Sequence, residues 1–340
     1  MQPGALPRAS GVTSADPVVL LDSGLNGPDD LLYLPDGTVL VGEHGDGHIA
    51  HVFGPGIDNR LPQVIPEVEG IAQVGGTTYV ADQQDNRVVA LTAAGGTRTV
   101  IQLAPVASGE NLDGISADSK GTGLVVPDSP HGVVYFVDTS GHVTATVGGF
   151  SRPAGSWPEE GGVLIADENA SAVFEIKNGR ATRIAGGLPG VDDAARTADG
   201  HVLAILPGAG QLRDISTGRN VATGLRNPQG LGFDGAQNLL VTESDNGRVD
   251  LIVRTFTAAV PAGAVQLQPG QPVCVRILRA PGYAAAVTFH EAVGADPISD
   301  PGSGSQGEVM PAPCHQSSCV VTLDLRSTEG DEIARFSYRD

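Results

Sequence analysis

The chain has 340 residues, of which 40% are hydrophobic, 47 are glycine and 24 are proline, so it is neither a small disulfide scaffold nor a disordered chain. The 39 acidic residues outnumber the 20 basic ones and give a net charge of −19, which repels phosphate backbones and excludes nucleic acid as a partner. No apolar run approaches the roughly 18 residues that a membrane-spanning helix needs.

The first sixteen residues are rich in proline, glycine, serine and alanine and predict a flexible N-terminal segment. Such a stretch is typical of the region that follows a removed signal peptide. We therefore expect a secreted or periplasmic protein.

A repeated sequence unit occupies residues 17–254. Segments 27–43 and 227–243 share their register, their central turn and a final Glu. The same shape recurs in four intervening copies that start near Glu69, Asp113, Ala154 and Asp192, of which three end in Asp. Within each copy, short β-branched runs alternate with Asp-Gly, Gly-Gly or Asn-Gly turns, which is the pattern of hairpins. Four strands in a unit of about forty residues predict a β-propeller blade.

The strand count predicts how the ring closes. The sixth copy contains only three strands, and the unassigned apolar run Pro17–Leu21 precedes the first copy. This run can supply the missing outer strand and remove an open sheet edge. We therefore predict an all-β fold, with a six-bladed propeller over residues 17–254.

The repeat stops at Thr255. Four strand-like segments, 273–278, 285–289, 319–325 and 333–338, predict a β-sandwich-like domain over residues 255–340. All three cysteines lie in this tail, which favours a disulfide in an oxidising compartment over a zinc site. Cys314 pairs with Cys319, or Cys274 pairs with one of them; the sequence leaves both arrangements open.

The Gly-Pro-x-x-Leu motif at Gly27, its Pro-Asp-Gly turn and the Asn-Pro-Gln-Gly-Leu-Gly-Phe-Asp motif at Asn227 resemble the NHL repeat and the SMP-30/gluconolactonase-like propellers. The resemblance covers residues 17–254. It implies a six-bladed ring and is weaker for activity, because these propellers include lactonases, phosphotriesterases, lyases and binding proteins.

Acidic residues recur just before the innermost strand of each blade, where equivalent positions converge on the central channel. These positions hold Asp29, Glu69, Asp113, Ala154, Asp192 and Gln229. Four carboxylates around one axis repel one another unless a cation or shared protons compensate them. Calcium suits such an oxygen-only set, so we predict a Ca²⁺ site; the alternative is that these side chains cap turns or are solvated.

The resemblance also implies a ligand set, because the related calcium-dependent hydrolases use a Glu, two Asn and an Asp. These fall on Asp29, Asp113, Ala154 and Asp192. Ala154 offers no ligand, and Glu69 or Asn111 are the possible substitutes. The predicted metal ligands are therefore Asp29, Glu69, Asp113 and Asp192.

Other polar residues near the predicted channel are candidates for chemistry. Asp29 or Asp192, and the loop histidines His44 and His131, are candidate bases. Gln229 and Trp157 are candidate substrate-binding residues, with packing between blades as the alternative for Trp157. A second set of positions, at the ends of the next strands, is predicted to be structural: Glu43, Asp82, Asp128, Asp167, Leu206 and Glu243.

These features predict a secreted, monomeric, calcium-dependent hydrolase that acts on a small-molecule lactone or ester. One alternative is a non-catalytic recognition propeller that binds a protein or glycan at the channel mouth. The other is a metal-dependent lyase that uses the same residues.

Overall fold

The computed structural model describes residues 11–14, 16, 18–34, 37–54, 57–104, 106, 111–234 and 237–252, together with the backbone of five strands between residues 275 and 339. The side chains of residues 53, 54 and 57 are outside this description. The chain starts with β1 (Thr13–Ser14) and β2 (Val18–Ser23). The next strands form six antiparallel sheets, which are the six blades of a propeller.

The first three blades follow one another along the chain, and each has its innermost strand first. Blade 1 contains β3 (Pro28–Tyr33), β4 (Val39–Glu43), β5 (His48–Gly54) and β6 (Ile57–Arg60). Blade 2 contains β7 (Val68–Val74), β8 (Thr77–Asp82), β9 (Arg87–Leu91) and β10 (Thr97–Gln102). Blade 3 contains β11 (Ser116–Ala117), β12 (Gly123–Asp128), β13 (Val133–Asp138) and β14 (Val143–Gly148).

The last three blades complete the ring. Blade 4 contains β15 (Pro153–Glu159), β16 (Gly162–Asp167), β17 (Ala172–Lys177) and β18 (Arg180–Gly186). Blade 5 contains β19 (Ala194–Arg196), β20 (Val202–Leu206), β21 (Gln211–Asp214) and β22 (Arg219–Thr223). Blade 6 contains β23 (Pro228–Phe233), β24 (Leu239–Glu243) and β25 (Arg248–Ile252).

Strand β2 closes the ring as the sequence predicted. It pairs antiparallel with β25, with Val18 opposite Ile252 and Val19 opposite Leu251. The N-terminal chain therefore supplies the outer strand of blade 6. The short strand β1, within the segment for which no strand was predicted, pairs with β22 and adds a fifth strand to blade 5.

Local turn chemistry explains why these residues form hairpins. Between β7 and β8 the two-residue loop Gly75-Gly76 has positive φ at both residues, 56° and 77°. Asn178-Gly179 does the same between β17 and β18, with φ of 52° and 71°. Turns with two positive φ angles match the twist of the flanking strands.

The described residues contain no α-helix long and apolar enough to span a membrane. Among them, the helical segments are three 3-10 turns, Ser129–His131, Pro207–Ala209 and Ser244–Asn246. Each joins the second and third strands of its blade.

The buried core lies between the blades. The buried hydrophobic side chains of the described residues form six clusters, and each cluster draws on two neighbouring blades, including one that joins blade 6 to blade 1. Both faces of a blade are therefore buried, and this explains the near-continuous apolar runs such as Val39–Glu43. Around the channel the blades approach closely: a Cβ at Gly70 would lie 2.2 Å from the backbone nitrogen of Ile115.

In the C-terminal part, four of the five described strands lie in the predicted segments, and the short strand at 307–309 was not predicted. β26 (Val275–Ile277) pairs with β28 (Gly307–Val309), and β27 (Ala285–Glu291), β29 (Cys319–Arg326) and β30 (Glu332–Arg339) form one antiparallel sheet in the order β27-β29-β30. The sandwich arrangement and the domain boundaries stay predictions. The predicted disulfide involves side chains that lie outside the described residues.

Candidate functional site

Carboxylates from three blades converge at the channel mouth. Asp29, Glu69 and Asp113 precede or begin the inner strands of blades 1, 2 and 3, and one carboxylate oxygen of each lies within 4.8 Å of the others. The predicted convergence of these three positions is therefore present in the structure. Asp192 lies on the same channel wall but, among the described residues, is not part of this acid triad.

The acids of the channel are held in unfavourable electrostatic surroundings. Burial and the adjacent Glu69 raise the pKa of Asp29 well above its ordinary value. Burial, followed by the charge of Asp113, raises the pKa of Glu69 in the same way. The carboxyl groups of Asp29 and Glu69 share a hydrogen bond. Burial, then Asp113 and Asp29, raise the pKa of Asp192. The ring therefore holds protons or requires a cation.

His44 contacts the acid triad from the loop after β4. Its Nδ1 lies 2.5 Å from Glu69 Oε1 in the next blade. The two groups are in contact but do not have the geometry of a hydrogen bond. His131, the second candidate base, instead lies 2.8 Å from Asp128 Oδ1 of its own blade. Of the two predicted histidines, His44 is therefore the one that the structure places against the acids.

Arg152 is a member of the site that the sequence analysis missed. Its Nη2 donates to Asp113 Oδ2 at 3.1 Å, and its Nε donates to Glu168 Oε2 at 2.5 Å. Burial raises the pKa of Asp113, and the guanidinium of Arg152 opposes that rise. The only available signal was an arginine two residues before Ala154, the one inner-ring position with a hydrocarbon side chain.

The prediction that Asn111 could replace the ligand missing at Ala154 is wrong. Its Nδ2 donates to the carbonyl oxygen of Gln83 at 2.8 Å, and its Oδ1 accepts from the backbone nitrogen of Val106 at 2.9 Å. Asn111 therefore fastens the long connection between blades 2 and 3. Glu69, the other substitute, is the residue that joins the triad.

The second set of acids has the structural role that was predicted. Glu43 Oε1 accepts from the backbone nitrogen of Asn26 at 2.7 Å, and Asp167 Oδ2 accepts from that of Ser151 at 2.7 Å. Both acids are completely buried. They fix the connections that enter the inner strands and so position the triad.

A further pair of acids near the channel, Asp30 and Asp193, was not recognised from the sequence. Asp30 and Asp193 follow Asp29 and Asp192, at positions that are glycine in the other four blades. Asp30 Oδ2 accepts from the backbone nitrogen of Ile71 at 3.3 Å, in the next blade. Asp193 Oδ2 accepts from that of Leu231 at 3.1 Å in the same way. Each therefore links its inner strand to the next.

A cavity of about 190 Å³ lies in the channel beside these acids, and both predicted substrate-binding residues line it. The ring of Trp157 meets that of Phe233 edge to face, with centroids 5.3 Å apart. Trp157 is therefore both a wall of the cavity and a packing residue that spans from blade 4 to blade 6.

The triad suits a calcium ion. Three carboxylates supply hard oxygen ligands, and the described group contains no sulfur or nitrogen ligand of the kind that zinc favours. The set is incomplete by comparison with the six to eight oxygens that calcium prefers, so water or substrate would supply the rest. The ion pair of Arg152 with Asp113 competes with such binding.

Comparison with models of known protein families gives no match, and comparison with curated protein sequences gives none. Solved structures do match. A gluconolactonase from Xanthomonas campestris is 14% identical with a TM-score of 0.55, and the match covers 74% of this chain and 94% of that one. Virginiamycin B lyase from Staphylococcus aureus is 14% identical with a TM-score of 0.53, and the match covers 71% of this chain and 98% of that one.

A third similar structure is the PQQ-bound form of an aldose sugar dehydrogenase from Streptomyces coelicolor, at 15% identity and a TM-score of 0.56 over 73% of this chain and 98% of that one. The three proteins catalyse different types of reaction on a similar fold. The comparisons therefore confirm the propeller and its likeness to gluconolactonases at the level of fold, and the chemistry must be argued from the site.

Proposed function

We propose that this protein is a calcium-dependent hydrolase that opens a lactone or ester at the mouth of its central channel. The convergence of Asp29, Glu69 and Asp113 is the observation that carries the proposal. Bound there, calcium would supply the positive charge that polarises a carbonyl and stabilises the negative charge that develops on its oxygen.

The other side chains at the channel would supply the base and the substrate contacts. Asp192 lies on the channel wall outside the triad, and burial raises its pKa, which makes its ionised form a stronger base for taking a proton from water. Asp29, the other candidate base, is occupied in the triad. His44 contacts Glu69. Gln229 and Trp157 line the cavity and would orient the substrate there.

The recognition propeller is the second candidate, and one observation favours it. Arg152 already neutralises part of the acid charge through Asp113 and Glu168, so the ring is partly compensated by the chain itself. In that case the triad would be a structural feature and the loops at the channel mouth would contact a protein or glycan.

Calcium titration of chelated protein tests the proposal. Binding to the folded state alone raises stability by RT ln(1 + [L]/Kd), so millimolar calcium should raise the melting temperature. Glu69→Gln and Asp113→Asn should abolish this rise and the turnover of a panel of lactones and aryl esters. Asp245→Asn is the control, because Asp245 is an exposed acid in the 3-10 turn of blade 6 and is not part of the triad.

The products separate the remaining alternatives. Hydrolysis adds the mass of one water to the substrate, whereas a lyase opens it without added mass. A calcium-dependent rise without any turnover would support the recognition propeller, and no calcium response would reject the metal site.

We also propose a secreted or periplasmic location, supported by the clustering of all three cysteines in the tail. Mass spectrometry of protein prepared without reductant should find one disulfide and one free thiol. Three free thiols would contradict an oxidising compartment.

A further inference from the structure

The cavity in the channel is bordered by more acids than the triad accounts for. Asp30, Asp192 and Asp193 line it in addition to Asp29 and Asp113. No lysine, arginine or histidine is among the described residues that line it. Arg152 and His44 contact the acids without reaching the cavity wall. A cation held by the triad would therefore leave three acids at the cavity without a basic partner.

Gln229 adds an independent sign of a missing ligand. Its side chain lines the cavity, and its Oε1 is buried with no hydrogen-bond partner among the described residues. A buried amide oxygen without a donor is costly. A ligand that carries an N–H or O–H donor would satisfy it, and an anion without such a donor would not.

Most of the remaining cavity wall is apolar. Leu31, Ile71, Ile115 and Leu231 line it together with Trp157. The two serines of the wall use their hydroxyl groups on each other, because Ser156 Oγ donates to Ser116 Oγ at 2.9 Å. The polar part of the wall therefore consists mainly of carboxylates, which bind a positively charged donor more strongly than a neutral one.

The volume limits the size of the ligand. A cavity of about 150 Å³ holds one benzene molecule, so the 190 Å³ of this cavity accommodates a single ring with one small substituent. The wall is acidic on one side and carries an aromatic ring and aliphatic side chains elsewhere. This combination fits an amphipathic cation better than an inorganic ion or a polyhydroxylated compound.

We propose that the cavity binds a small organic cation, with an ammonium group against Asp30, Asp193 and Gln229 and a ring-sized apolar body against Trp157. The inference names the substrate class of the proposed hydrolase as an ester or lactone that bears an amine. It rests on the proposed function for turnover only, since binding of the cation does not require catalysis.

Trp157 provides the measurement, because it is the only tryptophan in the chain. Its fluorescence should be recorded during titration of the full-length protein with benzylamine, benzyl alcohol and benzoate, which have similar size and differ in charge. We expect benzylamine to change the fluorescence saturably and to bind at least about tenfold more tightly than benzyl alcohol, a difference of about 1.4 kcal/mol. Benzoate should give no saturable change.

Variants connect the signal to the acids. Asp193→Asn keeps an acceptor for one of the two backbone nitrogens that Asp193 binds, those of Ala194 and Leu231, and removes the negative charge that would face a bound ammonium. It should therefore weaken benzylamine binding about tenfold and leave benzyl alcohol unchanged. Asp245→Asn should change neither. Equal binding of benzoate and benzylamine, or no response to any probe by the wild-type protein, would overturn the inference.

The two proposals fail separately. Calcium-dependent lactone turnover by a protein that does not bind benzylamine would reject the cation site and would support the proposed hydrolase. Selective benzylamine binding without a calcium response or turnover would support the cation site and reject the hydrolase.

Discussion

His44 Nδ1 lies 2.5 Å from Glu69 Oε1, and this contact joins blade 1 to blade 2 at the channel mouth. The two residues are 25 positions apart in the chain and belong to different blades. The contact places a titratable ring directly against the acid triad.

Replacing His44 tests whether this contact serves catalysis. Because the His44 side chain is 39% exposed, His44→Gln should fold normally. If His44, a candidate base from the sequence analysis, transfers a proton in the reaction, turnover of the lactone panel should fall on the order of 100-fold. His131→Gln is the matched control, because its ring contacts Asp128 of its own blade. An equal loss in both variants would contradict a special role for His44.

Arg152 should stabilise the metal-free protein. Its side chain is 15% exposed and links Asp113 to Glu168. Removing one partner of a largely buried ion pair leaves an uncompensated charge, at a cost of about 3 kcal/mol. Thermal melts of chelated Arg152→Gln should therefore show a clear fall, and added calcium should restore more stability than it does in the wild type.

Arg98→Gln serves as the control for that experiment, since Arg98 is exposed on an outer strand. A chelated melt of the Arg152 variant that matches the Arg98 control would show that the ion pair contributes nothing measurable.

The ring closure predicts a graded effect of N-terminal truncation. Removing residues 1–16 deletes only the two-residue β1, whereas removing residues 1–23 also deletes β2 and with it Val19 and Leu21, each 4% exposed. Losing two buried side chains costs about 3–6 kcal/mol. The longer truncation should lower the melting temperature by about 10 °C or more and the shorter one by much less. Equal melts for the two truncations would argue against β2 as the closing strand.

Close packing around the channel makes Gly70 sensitive to the smallest substitution. A Cβ there would lie 2.2 Å from the nitrogen of Ile115, so Gly70→Ala must displace the inner strand of blade 3. We expect a fall in melting temperature of several degrees and weaker calcium binding, because Asp113 lies on the displaced segment. Gly148→Ala is the control, since a Cβ there meets nothing within 4 Å. Similar melts for both variants would contradict this packing.

The repeat made most of the fold predictable. Alternation of apolar runs with Asp-Gly and Asn-Gly turns depends on local chemistry, and the missing fourth strand of the sixth copy identified β2 as its partner. The pairing of β1 with β22 was not predictable, because two residues carry no pattern of their own.

The site was predictable where it follows the repeat and not where it departs from it. Asp29, Glu69 and Asp113 occupy equivalent positions, so alignment of the copies brought them together. Arg152 and His44 reach the triad through long side chains that cross between blades, and their directions depend on packing that the sequence does not display. Asn111 is adjacent to the triad in sequence, yet its amide binds backbone groups of Gln83 and Val106.

Buried acids predict how stability depends on pH. Burial, together with the adjacent Glu243, raises the pKa of Asp250 from 3.8 to about 8, and burial raises the pKa of Asp193 to about 7. In the folded protein these groups hold a proton at pH values where the unfolded chain is ionised. Their contribution to stability is therefore complete below about pH 4 and is lost as the pH rises through about 8.

The melting temperature of the wild type should consequently fall between pH 6 and pH 9. Asp250→Asn removes one of the groups responsible, so its melting temperature should fall less over the same range. Asp138→Asn is the control: the carboxyl group is exposed, and hydrogen bonds from Ser140 and His142 lower its pKa, so it stays ionised throughout and its removal should leave the pH profile parallel to that of the wild type. A melting temperature that is constant or rises toward pH 9 in the wild type would show that the buried carboxyl groups are already ionised at neutral pH.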